Sequence, residues 1–328
     1  MLRKFTVLAL AMVVVCAAVR AGQVEMEVNV GFGPTIDVPY GQAHVYWAKI
    51  LNEQSGGTIK MNVFPSDQLG SGKDTIDQAW MGDPVIYSTD VAMFADLGVP
   101  DIGILQAPYL CETWEQMQKL FDSDWWKGQE KLLEEKGFKV LANNWRYGDR
   151  HTLTIRPVKE PKDLAGMKIR VPQSMIYVKS FEALGASATP LALPEVYTSL
   201  QQGVIDGLEN PLATIWGGKF HEVAKHLALD AHMKTINIVV CGTSYWETLT
   251  PGQQELLMKT AREAGDYQNG LLEKYETEIL EEMKKQGVTV TEVNHQDFKK
   301  AVEKFYSYPE FSNWTPGLPE TIDKIMND

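Results

Sequence analysis

The chain has 328 residues, 44% of them hydrophobic and 23% charged, with a formal net charge of −12. That length suits about two ordinary domains. The acidic balance, with no basic stripe anywhere, argues against a nucleic-acid partner.

The first 21 residues stand apart. Arg3 and Lys4 precede an apolar run from Phe5 to Val19, and Val19-Arg20-Ala21 places small residues where a signal peptidase needs them. The pattern predicts a secretory signal peptide over 1–21, cleaved after Ala21. Its loss removes Arg3, Lys4, Arg20 and Cys16 and makes the mature chain more acidic. No later apolar run approaches the ~18 residues of a membrane span, so a soluble, exported protein is expected. Cys111 and Cys241 remain. An oxidising compartment permits a disulfide between them, but each lies in an apolar setting, and buried free thiols are the plainer reading.

In the mature chain, Val24, Met26, Val28 and Val30 alternate with polar residues and predict a strand. Gln42–Gln54 has helical spacing and stops at Gly56-Gly57. Ile59, Met61 and Val63 predict the next strand, "SGKDTIDQAWMG" a helix and "PVIYST" a third strand. Strand and helix thus alternate over the first 90 residues, the signature of a parallel α/β sheet. A second such unit starts near Arg150: "HTLTIRP" and "KIRV" as strands, "QSMIYVKSFEALG" as a helix, "SATPLA" as a strand and "PEVYTSLQQG" as a helix. Gly185 and Gly203 fall where helices end. Two units in series imply two lobes, with no sequence repeat linking them.

The late segment from Gln253 to Lys285 contains no proline and is rich in helix formers. Thr250 and Pro251 provide an N-cap and a first-turn proline. At 1.5 Å per residue such a helix spans about 50 Å, more than one small lobe. Its apolar positions, from Leu256 to Met283, follow one broad face, so it is expected to lie across both lobes. Gly265 and Gly270 are candidate kinks.

Signatures of catalysis are missing: no GxSxG elbow, HExxH, P-loop or CxxC pair occurs. The six histidines are scattered, and His221 and His226 do not share a helix face. Arg150 and Arg170 are more informative. Arg170 lies near the end of the "KIRV" run, and in open α/β sheets ligands bind beyond the carboxyl ends of strands. The helix starting near Ser174 would aim backbone N–H groups at the same place, and a guanidinium fork matches a carboxylate. Solvated or salt-bridged arginines remain the alternative. Asn210, before Pro211, either turns its amide into a cleft or caps the helix that follows; local rules favour the cap. Tyr40, Trp80, Tyr87, Trp145, Tyr147 and Trp216 are candidate pocket walls, most of them expected in the core.

The segments "SGGTIKMNVFPSDQLG", "APYL", "DLAGMKIRVPQS", "LGASATPLALPEVYTSLQQGVIDGLENP" and "KFHEVAKHLAL" resemble, in order, the solute-binding proteins of tripartite ATP-independent periplasmic (TRAP) transporters, the C4-dicarboxylate and sialic acid class. The resemblance runs from about residue 28 to 290. It implies an α/β fold of the two-lobed periplasmic binding protein type, with crossing strands and a long helix spanning both lobes. The lobes would comprise 22–147 with 236–275, and 148–235 with 276–328. It implies a small organic acid whose carboxylate pairs with Arg170, aided by Arg150 and Asn210. By the same resemblance, Asp90 stands at a ligand-contacting acidic position and Leu193 at a ligand-flanking one, while Gly33 replaces an asparagine of some members; Trp145, Tyr147 and Trp216 complete the expected site. A hydroxylated or sugar acid suits two arginines and Asp90. A sulfonate or a dicarboxylate would suit the arginines too. The expected partners are membrane permease subunits, the expected location is the periplasm, and a monomer with no cofactor or metal is expected. A secreted enzyme or a periplasmic ligand sensor are the competing readings; chemical change of the bound solute would favour the first.

Overall fold

A computed structural model describes residues 24–327, so the proposed signal peptide over 1–21 lies outside the described residues. Nine strands form one sheet: β1 (Met26–Gly31), β2 (Ile59–Phe64), β3 (Val85–Asp90), β4 (Phe138–Thr154), β5 (Lys168–Val171), β6 (Ser187–Pro190), β7 (Gly207–Pro211), β8 (His226–Gly242) and β9 (Thr289–Glu292). Their order is β2-β1-β3-β8-β4-β7-β5-β6, with β9 beside β8. One end is the parallel set β2-β1-β3 and the other the parallel set β6-β5-β7. The two ends therefore repeat one βαβαβ topology, with the first strand of each unit in the middle.

The 17-residue strands β4 and β8 join the two units. Their antiparallel ladder is broken by register shifts between Val140 and Thr152, and such bulges bend and twist a strand pair. Sequence reading places a strand only at 151–157. The structure extends it back to Phe138, through the polar stretch "NNWRYGD" whose side chains obscure the period. By sequence the Asp206-Gly207 pair suggests a turn, whereas in the structure Gly207 opens β7. A Cβ on Gly207 would lie 2.5 Å from the Leu153 carbonyl oxygen, so this glycine permits close strand pairing.

The first helix begins at Pro39 rather than Gln42, with proline in the first turn where its missing N–H costs nothing. The long helix runs unbroken over Pro251–Lys285, capped by a reciprocal Thr250–Gln253 box. It starts against the Pro39–Gln54 helix, where the Trp47 indole donates to Thr260 Oγ1 at 2.9 Å. It ends near the other unit, where Gln286 meets His221 and Lys225. Gly265 serves close approach: a Cβ there would lie 2.6 Å from Asn144 Oδ1 and 2.8 Å from Trp145 Cδ1.

Two apolar clusters fill the interior, sorted by sheet face rather than by lobe. Along β8, Ile236, Ile238 and Val240 point into one and Val239 and Cys241 into the other, as the period of two requires. Both clusters run through the crossing strands, so apolar contact does not divide at the lobe boundaries read from the sequence. The closing helix, Leu318–Asn327, packs on Trp114–Asp122 of the first unit, where Lys119 donates to the Met326 carbonyl. Cys241 is buried and Cys111 half-buried, and both are free.

Candidate functional site: a cavity where six strand ends meet

Both parallel sets direct their carboxyl ends at one cavity of about 100 Å³. Gly33 follows β1, Asp67 follows β2 and Asp90 ends β3; Arg170 stands on β5, Leu191 follows β6, and Asn210 stands on β7. The repeated topology makes this convergence, because ligand sites in such sheets lie beyond strand carboxyl ends. Arg150 and Tyr147 from β4 and Asn237 from β8 form the floor.

Arg170 is 4% exposed. Its Nε and Nη2 donate to the Leu191 carbonyl at 2.9 and 2.6 Å, and among the described residues no carboxylate lies within ion-pair distance of it. Burial pulls its pKa down to about 10, against Glu209 and helped by the like charge of Arg150, so the group stays cationic at neutral pH. Arg150 differs. Its guanidinium grips Glu209 with two hydrogen bonds, Nε to Oε2 at 2.5 Å and Nη2 to Oε1 at 2.7 Å, and packs over the rings of Tyr177 and Tyr147. Burial opposes both charges of this pair, but mutual attraction wins, so Arg150 is held above and Glu209 below its ordinary range. The salt-bridged alternative therefore describes Arg150 and not Arg170.

The pair extends into a buried chain. His232 bridges Glu209 and Asp230, and Asp230 accepts from the Thr152 amide and hydroxyl. Burial opposes charging His232, but Asp230 and then Glu209 overcome it and raise its pKa to about 9. Sequence reading left Glu209, His232 and Asp230 unassigned, because their association depends on β7, β4 and β8 lying side by side.

Asn210 lies within β7 and caps no helix; Pro211 occupies that N-cap position. Its Oδ1 accepts from the Tyr147 hydroxyl at 3.4 Å, and that hydroxyl accepts from Thr214 at 2.8 Å. Asp90 lines the cavity, its Oδ1 taking the Ala92 amide, and burial raises its pKa despite Arg150. Gly33 and Leu193 face each other across the opening, where a Cβ on Gly33 would meet Leu193 Cδ2 at 3.1 Å. The structure thus brings Gly33, Asp90, Tyr147, Arg150, Arg170, Leu193 and Asn210 to one cavity.

Two expected site residues are elsewhere. Trp145 is fully buried beneath the long helix, its indole donating to the Ala261 carbonyl at 3.0 Å. Trp216 stacks on His221, with centroids 4.5 Å apart, and does not line the cavity. A tryptophan's large apolar surface suits a helix–sheet interface, and aromatic content alone could not separate core from wall. Of the other candidate aromatics, Tyr87 lines the cavity, Tyr40 stands behind it and Trp80 is on the surface. The Tyr40 hydroxyl accepts from Asn237 Nδ2 and pairs with Ser88 Oγ, both of them lining residues, while Asn237 Oδ1 is buried with no partner among the described residues. Sequence reading missed Asp67, Ser88 and Asn237. Only the position of Asp67 after a predicted strand signalled any of them. Among the described residues no cluster suited to holding a metal ion occurs, and no helix is long and apolar enough to cross a membrane.

Residues 34–312 match the family described as bacterial extracellular solute-binding protein, family 7. The chain is 30% identical over 282 residues to the sialic acid-binding periplasmic protein SiaP of Vibrio cholerae, covering 86% of this chain and 85% of that one. It is 34% identical over 255 residues to the 2,3-diketo-L-gulonate-binding periplasmic protein YiaO of Escherichia coli, covering 77% of each. Among solved structures, a TRAP periplasmic solute-binding protein from Actinobacillus succinogenes with bound L-galactonate superposes with a TM-score of 0.89 at 39% identity, over 92% of this chain and 99% of that one. One from Ochrobacterium anthropi with bound L-fuconate gives 0.90 at 36% identity, over 92% and 100%. Proteins of this kind are periplasmic and bind solutes rather than transform them. By its sequence, its sheet topology and the cavity at its strand ends, this chain belongs to the bacterial extracellular solute-binding proteins of family 7, the binding subunits of TRAP transporters.

Proposed function

We propose that the cavity captures a hydroxylated monocarboxylate of the sugar-acid type, unchanged, and that the closed protein delivers it to the transporter's membrane permease subunits. The carrying observation is Arg170: a buried, charged guanidinium whose partner among the described residues is a single carbonyl and no carboxylate. A buried cation is costly unless paired, and a ligand carboxylate supplies the missing charge in a bidentate geometry.

Arg150 adds positive field without offering its full charge, since Glu209 holds it. Asn210, fixed through its carbonyl by Tyr147, has an amide nitrogen left to donate to the same acid group. Asp90 and Asn237 offer acceptors for hydroxyls. The two lobes, 22–147 with 236–275 and 148–235 with 276–328, close about the bulged β4–β8 crossing and exclude water. Exclusion strengthens the charge pairing. Gly33 and Leu193 meet at the mouth and shut it. The signal peptide over 1–21 would export the chain, and a monomer suffices for this cycle. Relatives and structural neighbours named for sialic acid, 2,3-diketo-L-gulonate, L-galactonate and L-fuconate support the ligand class.

Mass spectrometry of solute released from the purified protein, followed by calorimetric titration, tests this reading. A hydroxylated acid recovered intact, bound by the wild type and lost by Arg170→Ala, is the expected result. Unaltered binding by Arg170→Ala, or recovery of a chemically changed solute, overturns it.

A further inference from the structure

Asp67 reaches the cavity by an unusual backbone route. It and Ser66 adopt consecutive left-handed conformations, with φ of 54° and 56°, although neither is glycine. Such residues are uncommon, and each carries a conformational cost. Three backbone hydrogen bonds hold the turn against its surroundings: Ser66 N to Pro34 O at 3.0 Å, Asp67 N to Phe32 O at 3.1 Å and Gly70 N to Asp67 O at 3.0 Å. The turn is thus anchored to the segment after β1, and it presents the Asp67 carboxylate beside Gly33 and Leu193 at the cavity wall.

That carboxylate is under-used by the protein. Oδ1 accepts a long bond, 3.4 Å, from the Tyr87 hydroxyl, and among the described residues Oδ2 accepts none. Arg170 lines the same cavity and lies within electrostatic reach, yet the two are not an ion pair. Burial pushes the Asp67 carboxyl up to about 6, against the hydrogen bond from Tyr87 and the charge of Arg170. An ionised carboxylate only accepts hydrogen bonds, and Asn237 Oδ1, on a residue lining the same cavity, is a second acceptor lacking a donor among the described residues.

Resting on the reading of Arg170 as the acid anchor, we infer that Asp67 is a specificity-determining residue: it accepts hydrogen bonds from ligand hydroxyls and rejects ligands carrying a second negative charge. With Arg150 neutralised by Glu209, Asp67 and Asp90 line the same cavity as Arg170, and Lys73 stands exposed at its rim. One ligand carboxylate satisfies Arg170. A second would meet Asp67 or Asp90 with no buried cation left to pair with it, and an unpaired buried charge is one way a site rejects the wrong ligand. The solute is therefore a polyhydroxy acid of single charge and not an aldarate or other dicarboxylate.

Calorimetric titration with L-galactonate and galactarate tests this, since the two share every stereocentre and differ in a terminal hydroxymethyl against a carboxylate. The wild type should prefer L-galactonate by about a hundredfold. Asp67→Asn removes the charge, keeps the shape and tolerates the left-handed backbone. It should weaken L-galactonate at least about tenfold, the scale of one hydrogen bond to a charged group, and narrow the preference over galactarate by a similar factor. Asp67→Gly, which suits the same backbone without strain, should behave alike; a thermal unfolding midpoint near that of the wild type checks both folds. A preference ratio unchanged in either variant, or a wild type that binds galactarate as well as L-galactonate, overturns the inference. If Arg170→Ala abolishes binding while the Asp67 variants keep the wild-type ratio, the function stands and this inference alone fails. Binding retained by Arg170→Ala sinks the anchor on which both rest.

Discussion

Arg150 and Arg170 occupy one cavity, on strands separated only by β7, and they meet the cost of burial in opposite ways. Around Arg150 the protein has completed the electrostatics itself: Glu209 grips the guanidinium, His232 grips Glu209, and Asp230 grips His232. Around Arg170 it has left the task unfinished, supplying one backbone carbonyl. The first arrangement is part of the fold and the second waits for a solute. Both arginines are almost fully buried, so burial does not tell them apart. What differs is whether a carboxylate partner is encoded in the chain.

The comparison breaks most readily through stability. Arg150→Met leaves the buried Glu209–His232–Asp230 chain with one net negative charge uncompensated and should cost about 3–5 kcal/mol, the range for breaking a buried pair, read as a lower urea midpoint. Arg170→Met in solute-free protein should be neutral or stabilising by the same measure, because it removes a buried cation that has no ion-pair partner among the described residues. Equal losses would erase the distinction. Affinity is the complementary measure. Arg170→Ala should weaken binding of the recovered solute by about 2–5 kcal/mol, the usual loss on truncating one member of a buried charge pair, measured by calorimetry.

Stability against pH sharpens the picture. The folded pKa of His232 is raised to about 9 from an unfolded value near ~6.5. Its contribution is therefore complete below ~6.5 and is lost as pH rises through about 9. Burial gives His44 the opposite sign: its pKa is lowered to about 3 in the fold, so the unfolded chain binds the extra proton and stability falls as pH drops below ~6.5. Urea unfolding across pH 4–10 should show both flanks, and His232→Gln should flatten the alkaline one only. The smallest effect belongs to the long helix. Thr250→Ala removes its cap and should cost about 1 kcal/mol, a shift of a few degrees or less in the thermal midpoint, with no change in solute affinity.

Much of the site was legible because its residues sit at the ends of short, strongly patterned segments. Alternation marked β5 and put Arg170 at its end, and the rule that ligands gather beyond strand ends did the rest. The residues that escaped notice have no such local mark. Glu209 reads as part of a turn until Gly207 is seen pairing with β4. Asp67 sits in a polar loop whose left-handed backbone no composition rule anticipates for Ser-Asp. Trp145 was placed in the wall by its aromaticity and is held instead in the core by the long helix crossing above it.

The sequence by itself determined the two α/β units, the length and capping of the 251–285 helix, and an arginine at a strand end, since each depends on residue spacing along a short stretch. Only the tertiary structure decided which buried charge has a partner, where the tryptophans lie and which carboxylate faces the solute. Those outcomes depend on strands far apart in the chain, such as β4, β7 and β8, coming within hydrogen-bonding distance. Electrostatic satisfaction belongs to that meeting of groups and is carried by no single segment.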